Sequence, residues 1–452
     1  MATLAYLFPA FPVFHQTFVL WEVLGLRRNG VNPKIYSLRR PSAQQQPEGR
    51  EVARDVIYLP PAWSAQVWRA NWRRLRRGAR DYARLYVDVF DAWQTGAVAP
   101  ARDDGWETRR VAWSNRLRGW FNSHPGVYLL KSWWLIPSAV HLAAALETEG
   151  VTHLHVHWAS YPATVAYVVQ RLTGIPFSVS AHAYDIYMVP RMLPAKIRAA
   201  RFFVTCAKTN AAFLERLAGP DVHDKIIVSY HGVDVSRFVP ATAETRQPGP
   251  LVIVSCGQLE RYKGMHLLID ACAALRQRGV DLVCRIIGEG AQRAQLQQQI
   301  DRLGLSQHVQ LTGARPHAEV AATYQHADVF VLASELAGRS GRRDVIANVI
   351  VEAMAAGLPV VASHIPGVEE LVEDGVSGYL FRPNDLNGLI AAMAKLADNS
   401  AERRRCGSAG RRRVLRDFDN SKNVRDLADL LRQPAEERRP RLAVVGGRRM
   451  VS

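Results

Sequence analysis

Apolar residues in this chain fall in short runs separated by amphipathic stretches, a rhythm that predicts alternating strands and helices. Thr3 to Leu7 reads as a strand, Phe8 to Gln16 as a loop, and Thr17 to Asn29 as a helix that Gly30 stops; Lys34 to Leu38 opens the next strand. The pattern returns from Val151, with strands at His153 to Trp158, Phe202 to Thr205 and Lys225 to Val228. A Pro-, Thr- and Gly-bearing stretch over 240–250 reads as a linker. Beyond it the alternation starts again at Leu251 to Ser255, Leu282 to Ile287, Val309 to Thr312 and Val329 to Leu332. Strand and helix in strict alternation make parallel sheets, which bind ligands beyond the carboxyl ends of their strands. The fold class expected is α/β, with two Rossmann-like α/β/α domains at 1–239 and 251–410.

The chain is organised around Asp344 to Pro359. Ile346 to Ala356 has helical spacing, Gly357 suits a left-handed stop, and Pro359 prevents continuation before the apolar pair Val360-Val361. A helix in this position points backbone N–H groups at the ligand crevice, which favours a phosphate. Glu352 lies inside it, where packing alone gives no reason for a carboxylate.

Residues 60–135 depart from the alternation and read as a helical insertion. Ten of the eleven tryptophans lie between Trp63 and Trp158, and Arg69, Arg73, Arg74, Arg76, Arg77, Arg80 and Arg84 surround Trp68 and Trp72. Trp113 and Trp120 flank Arg116 and Arg118 in the same way. Indole beside guanidinium on an amphipathic helix suits a membrane surface, while packed indoles and solvated arginines would give the same composition. Val127 to Leu146 is apolar and long, but Lys131, Pro137 and His141 interrupt it, so a buried helix is expected rather than a span.

Charge sharpens that picture. The formal net charge is +17, and residues 1–130 and 401–452 carry all of it while the middle balances. Basic flanks on a neutral body favour an anionic surface, and the chain carries no nucleic-acid reader module, so no nucleic acid is expected as a partner. Five widely spaced cysteines, with no Cys-x-x-Cys, argue against a zinc site or a disulfide framework. Pro9 and Pro12 interrupt the first apolar run, which has no basic leader, so no signal peptide is expected. The location expected is cytoplasmic and peripheral on the inner face of the cell membrane. His153, His155 and His157 alternate on one strand, but each step of about 7 Å spreads them too far for one metal ion.

Asp344, seven residues, then Glu352-Ala353-Met354-Ala355 and Gly357-Leu358-Pro359-Val360-Val361 resemble the donor-site signature of the retaining GT-B glycosyltransferases of family 4, exopolysaccharide and colanic-acid type. Ala181-His182-Ala183-Tyr184-Asp185-Ile186-Tyr187 resembles that family's Ala-His-Ala-x-Asp-Ile-Tyr, and Pro162-Ala163-Thr164-Val165-Ala166 its Pro-Ala-Thr-x-Ala. The turn from Gly257-Gln258 to Lys263-Gly264 is similar to Gly-Arg-Leu-x-x-x-Lys-Gly, with Gln258 at the Arg position and Arg261 nearby. A second departure is Val345-Ile346-Ala347-Asn348 in place of Gly-Ile-Pro-Asn.

The resemblance implies a GT-B fold, two Rossmann-like domains facing across a cleft, with a helix over 411–432 crossing back to the first and a disordered basic tail over 433–452. It implies catalytic roles for His182, Asp344 and Glu352, with Glu352 on the donor ribose. Donor-binding residues would be Gly257, Gln258, Lys263, Asn348, Val349 and Glu352. His15 and Thr17 would be acceptor-side residues; equally, Thr17 reads as a helix cap and His15 as a loop residue. Asp185 would support the acceptor-side loop. The loop Glu335 to Arg343, with Arg339, Arg342 and Arg343, reads equally as a lid or as solvated chain. The expected reaction transfers a sugar from a nucleotide-sugar donor to a saccharide or lipid-linked saccharide hydroxyl, with no cofactor and no metal. The rivals are a nucleotide-sugar epimerase and a GT-B scaffold with a degenerate donor site.

Overall fold

The alternation is realised as two parallel sheets in a computed structural model, which describes residues 3–14, 16–41, 46–96, 124–187, 190–241, 249–335 and 346–433. The first sheet holds β1 (Leu4–Phe8), β2 (Lys34–Ser37), β3 (Val56–Tyr58), β4 (His153–His157), β5 (Phe177–Ala181), β6 (Phe203–Thr205) and β7 (Ile226–Val228). Its order is β3-β2-β1-β4-β5-β6-β7. The second holds β8 (Leu251–Cys256), β9 (Leu282–Ile287), β10 (Val309–Gly313), β11 (Val329–Leu332), β12 (Val360–Ser363) and β13 (Gly378–Phe381), in the order β10-β9-β8-β11-β12-β13. In each, the order reverses beside the first strand, between β1 and β4 and between β8 and β11. Those switch points are where doubly wound sheets open a crevice.

The strands are buried runs because helices cover both faces of a parallel sheet. β1, β4, β5 and β12 are buried at every position. Gly357 takes the left-handed conformation at φ +76°, and Leu358 N–H reaches back to the Ala353 carbonyl at 3.0 Å, closing the helix before it. That helix is Asn348–Ala355, shorter than expected at its start, because Ala347 is extended and caps it without a side-chain bond.

The chain divides into two compact units at Ser229/Tyr230, upstream of the expected linker, and re-enters the first at Arg425. Residues 230–239 belong with the second unit because they pair with its last segment. Val233 N–H bonds the Phe418 carbonyl at 2.9 Å, Asn420 N–H bonds Val233 at 3.0 Å, and the Tyr230 and Phe418 rings meet at 4.7 Å. The helix expected over 411–432 is two helices, Ser400–Asp417 and Asn420–Arg432, broken at that contact. Most of the linker and the tail beyond Gln433 lie outside the described residues.

The insertion forms helices Ala65–Arg77, Ala79–Gln94 and Pro125–Trp134. Ser64 caps the first through Val67 N–H at 3.3 Å. Its indoles fall into two sets. Trp93 and Trp133 donate to the Pro125 and Tyr86 carbonyls at 2.9 and 3.1 Å, whereas Trp63, Trp68, Trp72 and Trp134 face solvent. Trp113 and Trp120 lie outside the described residues. Pro125–Trp134 and Ile136–Thr148 meet at a 42° bend, and no single described helix is long and apolar enough to cross a membrane.

Candidate functional site

In the second unit, the crevice edge is made of backbone. β8 runs into Gly257 and a turn of 3-10 helix, Arg261–Lys263, which ends at Gly264 with φ +65°. A Cβ on Gly264 would lie 1.8 Å from the Ala333 carbonyl oxygen, so only glycine lets this turn approach the end of β11. Gly288 meets Gly257 equally closely, and Leu259 N–H bonds the Glu289 carbonyl at 2.9 Å. The Lys263 side chain lies along Gly257, and its ammonium sits 5.3 Å from the Tyr262 ring centre. Gln258 is exposed. Arg261, considered for the missing arginine's part, faces the Glu335 carboxylate at 3.6 Å instead, and His266 meets the same carboxylate at 3.1 Å.

Glu352 stands in the second turn of Asn348–Ala355 and is 5% exposed. Its Oε1 meets His317 Nε2 at 3.0 Å, and the Phe238 ring lies edge-on to that imidazole at 5.2 Å. A buried carboxylate needs such a partner. The Cys256 thiol is pushed up to about 12 by burial and then by the Glu352 charge. Asn348 and Val349 open the helix without a side-chain cap, and the buried Asn348 amide oxygen has no hydrogen-bond partner among the described residues. Uncapped amides at a helix start are suited to anionic oxygen.

In the first unit, the corresponding edge is made of side chains. Register places His155 beside Tyr6 of β1 and Ser178 of β5, and His157 beside Ser180. Ser178 Oγ is 2.7 Å from both His153 Nε2 and His155 Nδ1, and Ser180 Oγ is 2.9 Å from His155 Nε2. Burial holds the His155 imidazole well below its ordinary value, which keeps it neutral between two hydroxyls. His157 Nε2 meets Glu22 Oε1 at 2.9 Å, Tyr6 donates to the same oxygen at 3.2 Å, and His157 Nδ1 lies 3.4 Å from His182 Nε2. The spacing argument that kept the histidines apart is therefore too strict. Ligand-type atoms of Glu22, His155 and His157 converge within 4.8 Å of one another, because side chains on one face lean together and Glu22 reaches in from a helix. Hydrogen bonds already occupy those nitrogens.

His182 follows the end of β5, 8% exposed, with the rings of Phe18 and Trp158 at 5.2 and 5.0 Å. Asp185 is buried and accepts from the backbone N–H groups of His182, at 2.8 Å, and Ala159. It pins the ends of β4 and β5 together. Burial lifts its carboxyl to about 7 against the pull of those N–H groups and of Lys196. Lys196, itself fully buried, donates to Tyr128 Oη and to the Ala159 and Ser160 carbonyls, each at 2.8 Å, and burial drives its amine well below its ordinary value.

Thr17 is the first helical residue, and the cap position belongs to Gln16, whose side chain makes no capping bond. His15, Asp344 and the arginine loop lie outside the described residues. The second edge gathers Gly257, Lys263 and Glu352 as residues of one unit, and His182 and Asp185 meet in the other. Sequence reasoning missed His317, Lys196, Ser178 and Ser180. The alternation of Ser178 and Ser180 against three alternating histidines was the one available signal for a polar sheet face.

Comparison with known proteins agrees with this reading. Residues 242–413 match the family described as glycosyl transferases group 1. The putative colanic acid biosynthesis glycosyltransferase WcaL of Salmonella typhimurium is 36% identical over 210 residues, 46% of this chain and 51% of that one. The amylovoran biosynthesis glycosyltransferase AmsK of Erwinia amylovora is 34% identical over 212 residues, 47% and 52% of the two chains. The chain thus spans about half the length of the curated relatives it matches. Among solved structures, Anabaena HepE in complex with UDP superposes with a TM-score of 0.64 at 16% identity, over 95% of this chain and 99% of that one. Sucrose-phosphate synthase from Thermosynechococcus elongatus gives 0.65 at 18%, over 95% and 98%. The fold is GT-B, and the resemblance to group 1 glycosyltransferases of exopolysaccharide type holds.

Proposed function

We propose that the protein is a retaining glycosyltransferase of family 4 that moves a sugar from a nucleotide-sugar donor to a hydroxyl of a saccharide or lipid-linked saccharide in exopolysaccharide synthesis. The observation that carries this is Glu352: a buried carboxylate in the second turn of a helix at the sheet's switch point, within the matched family region. A carboxylate there suits a ribose diol, since it can only accept and the diol can donate twice. Lys263 and the uncapped amides of Asn348 and Val349 would stabilise the leaving diphosphate, with charge supplied by protein groups and no metal. Asp344 would meet the transferred sugar and His182 would approach it from the first unit. Departure and attack on one face would keep the anomeric configuration.

The exposed indoles and arginines of the insertion support work at an anionic membrane surface on the cytoplasmic side, consistent with a lipid-linked acceptor. Co-sedimentation with vesicles containing anionic lipid tests this, and equal activity on a soluble acceptor without membranes would count against it.

Calorimetry with a panel of UDP-, GDP- and ADP-sugars tests the donor site. UDP comes first, because a neighbour of the same fold is solved with UDP. One donor should bind the wild type, and Glu352→Ala should weaken it about 30-fold, a loss of about 2 kcal/mol for charge-assisted hydrogen bonds. The anomeric signal of the product tests retention. A wild type that binds no donor would favour the scaffold reading, which rests on Gln258, Val345 and Ala347 as departures from the family pattern.

A further inference from the structure

Helix Ala65–Arg77 in the first unit carries five arginines and no acid, and its packing fixes which way it faces. Buried Asn71 donates to the Val67 and Pro137 carbonyls at 2.8 and 3.0 Å and accepts from Tyr82 Oη at 2.9 Å. Its side of the helix is therefore turned to Ile136–Thr148. Helical spacing sorts the other residues into two stripes. Trp68, Trp72 and Leu75 form one and are exposed, with Trp63 just ahead of the helix. Arg69, Ala70 and Arg73 belong to the other. They line a groove of about 350 Å³ whose far wall includes Ala144, Ala145 and Glu149, a volume at the small end of ligand sites.

The charge in this groove is unbalanced. Glu149 is already matched by Lys34, whose ammonium lies 2.7 Å away. Burial holds the His141 imidazole, also in the wall, below its ordinary value, which favours the neutral ring. Arg69 and Arg73 make no ion pair among the described residues, and they stand one turn apart on the same helix. Two unmatched guanidiniums over an alanine floor suit a phosphate, which each can meet with paired N–H donors. The neighbouring stripe decides what carries that phosphate. Of thirteen exposed large apolar side chains among the described residues, eight lie between Trp63 and Trp134. Such a concentration beside free arginines is what a lipid surface covers, with indoles at headgroup depth and guanidiniums on phosphate. A free phosphate would leave the alanines and indoles uncovered.

We infer that the groove between Ala65–Arg77 and Ile136–Thr148 is a binding site for one anionic phospholipid. Its phosphate lies between Arg69 and Arg73, and its glycerol backbone and first methylenes cover Ala70, Ala144 and Ala145. The inference deepens the membrane reading proposed above and rests on it for the nature of the ligand. That reading needs only the summed attraction of many charges to a surface. The groove adds a saturable site: the indole stripe seats the helix in the surface, and Arg69 and Arg73 select the headgroup.

The test is calorimetry of the full chain with dihexanoyl phosphatidylglycerol held below its micelle concentration, where no lipid surface exists. The wild type should bind one lipid per chain saturably, and dihexanoyl phosphatidylcholine should not bind. Arg69→Gln combined with Arg73→Gln should weaken binding about 30-fold, the loss of two guanidinium contacts to a lipid phosphate. Ala144→Phe, at an exposed helical position, should fill the groove and abolish binding with every charge kept. Trp68→Ser combined with Trp72→Ser should leave this binding intact while reducing co-sedimentation with phosphatidylglycerol vesicles. Equal binding of phosphatidylcholine, equal competition by inorganic phosphate, or full binding by Ala144→Phe would each overturn the site. Co-sedimentation with vesicles but no binding of the monomeric lipid would overturn it too and leave the membrane reading standing. Binding of the monomeric lipid without co-sedimentation would sink the membrane reading and leave the site standing.

Discussion

The two crevice edges occupy the same place in two similar sheets and are built from opposite materials. The edge after β8 and β11 is shaped by backbone: Gly264, Gly288 and Gly290 let loops approach to distances that no side chain permits. The edge after β1, β4 and β5 is shaped by side chains, a continuous set of imidazoles, hydroxyls and carboxylates with Lys196 beneath it. Backbone shape suits a ligand part that is always the same, such as a diphosphate. Side-chain chemistry suits parts that differ between substrates, such as sugar hydroxyls. The contrast predicts that adding atoms harms the second unit and removing them harms the first.

The largest effect is expected for Gly264→Ala. The added methyl group meets the Ala333 carbonyl oxygen at 1.8 Å in a left-handed backbone, so the second unit should lose at least about 4 kcal/mol, read by urea denaturation of the full chain. Tolerance of this alanine would break the comparison at once. Next comes Lys196→Met, which strips the donor from two buried carbonyls and a neighbouring cation from Asp185. A loss of about 3 kcal/mol is expected in the first unit's transition, with the second unit's unchanged. Ser178→Ala removes a hydroxyl shared by two buried imidazoles and should cost about 1–2 kcal/mol in the same transition. The smallest effect belongs to Gly257→Ala. Its added carbon would meet the Lys263 and Met265 side chains at 3.6 Å, an ordinary contact, so stability should shift by no more than about 0.5 kcal/mol while donor affinity falls.

The same contrast explains what could be read from the sequence. The strands, their parallel arrangement and the stop at Gly357 follow from local pattern, since apolar runs, helical spacing and a glycine before a proline act within a few residues. Glu352 stood out for a similar reason, as a charge placed where packing needs none. Its partner His317 did not, because they lie thirty-five positions apart and only the folded sheet brings them together. The histidine row was visible as an alternation, but its meaning depended on the register of β4 against β5 and on a helix that supplies Glu22. The domain boundary was misplaced because a Pro- and Gly-bearing stretch marks a loop, whereas the units part where Val233 and Tyr230 pair with a segment nearly two hundred residues later. Lys196 reads in sequence as one more surface lysine.

The crowding of indoles into one part of the chain has an optical consequence. All eleven tryptophans lie between Trp21 and Trp158, within the first unit, while the second has tyrosine and phenylalanine but no indole. Indole emission from the intact molecule therefore reports the first unit alone. Any change in its colour on adding a nucleotide would mean that the first unit had felt the arrival.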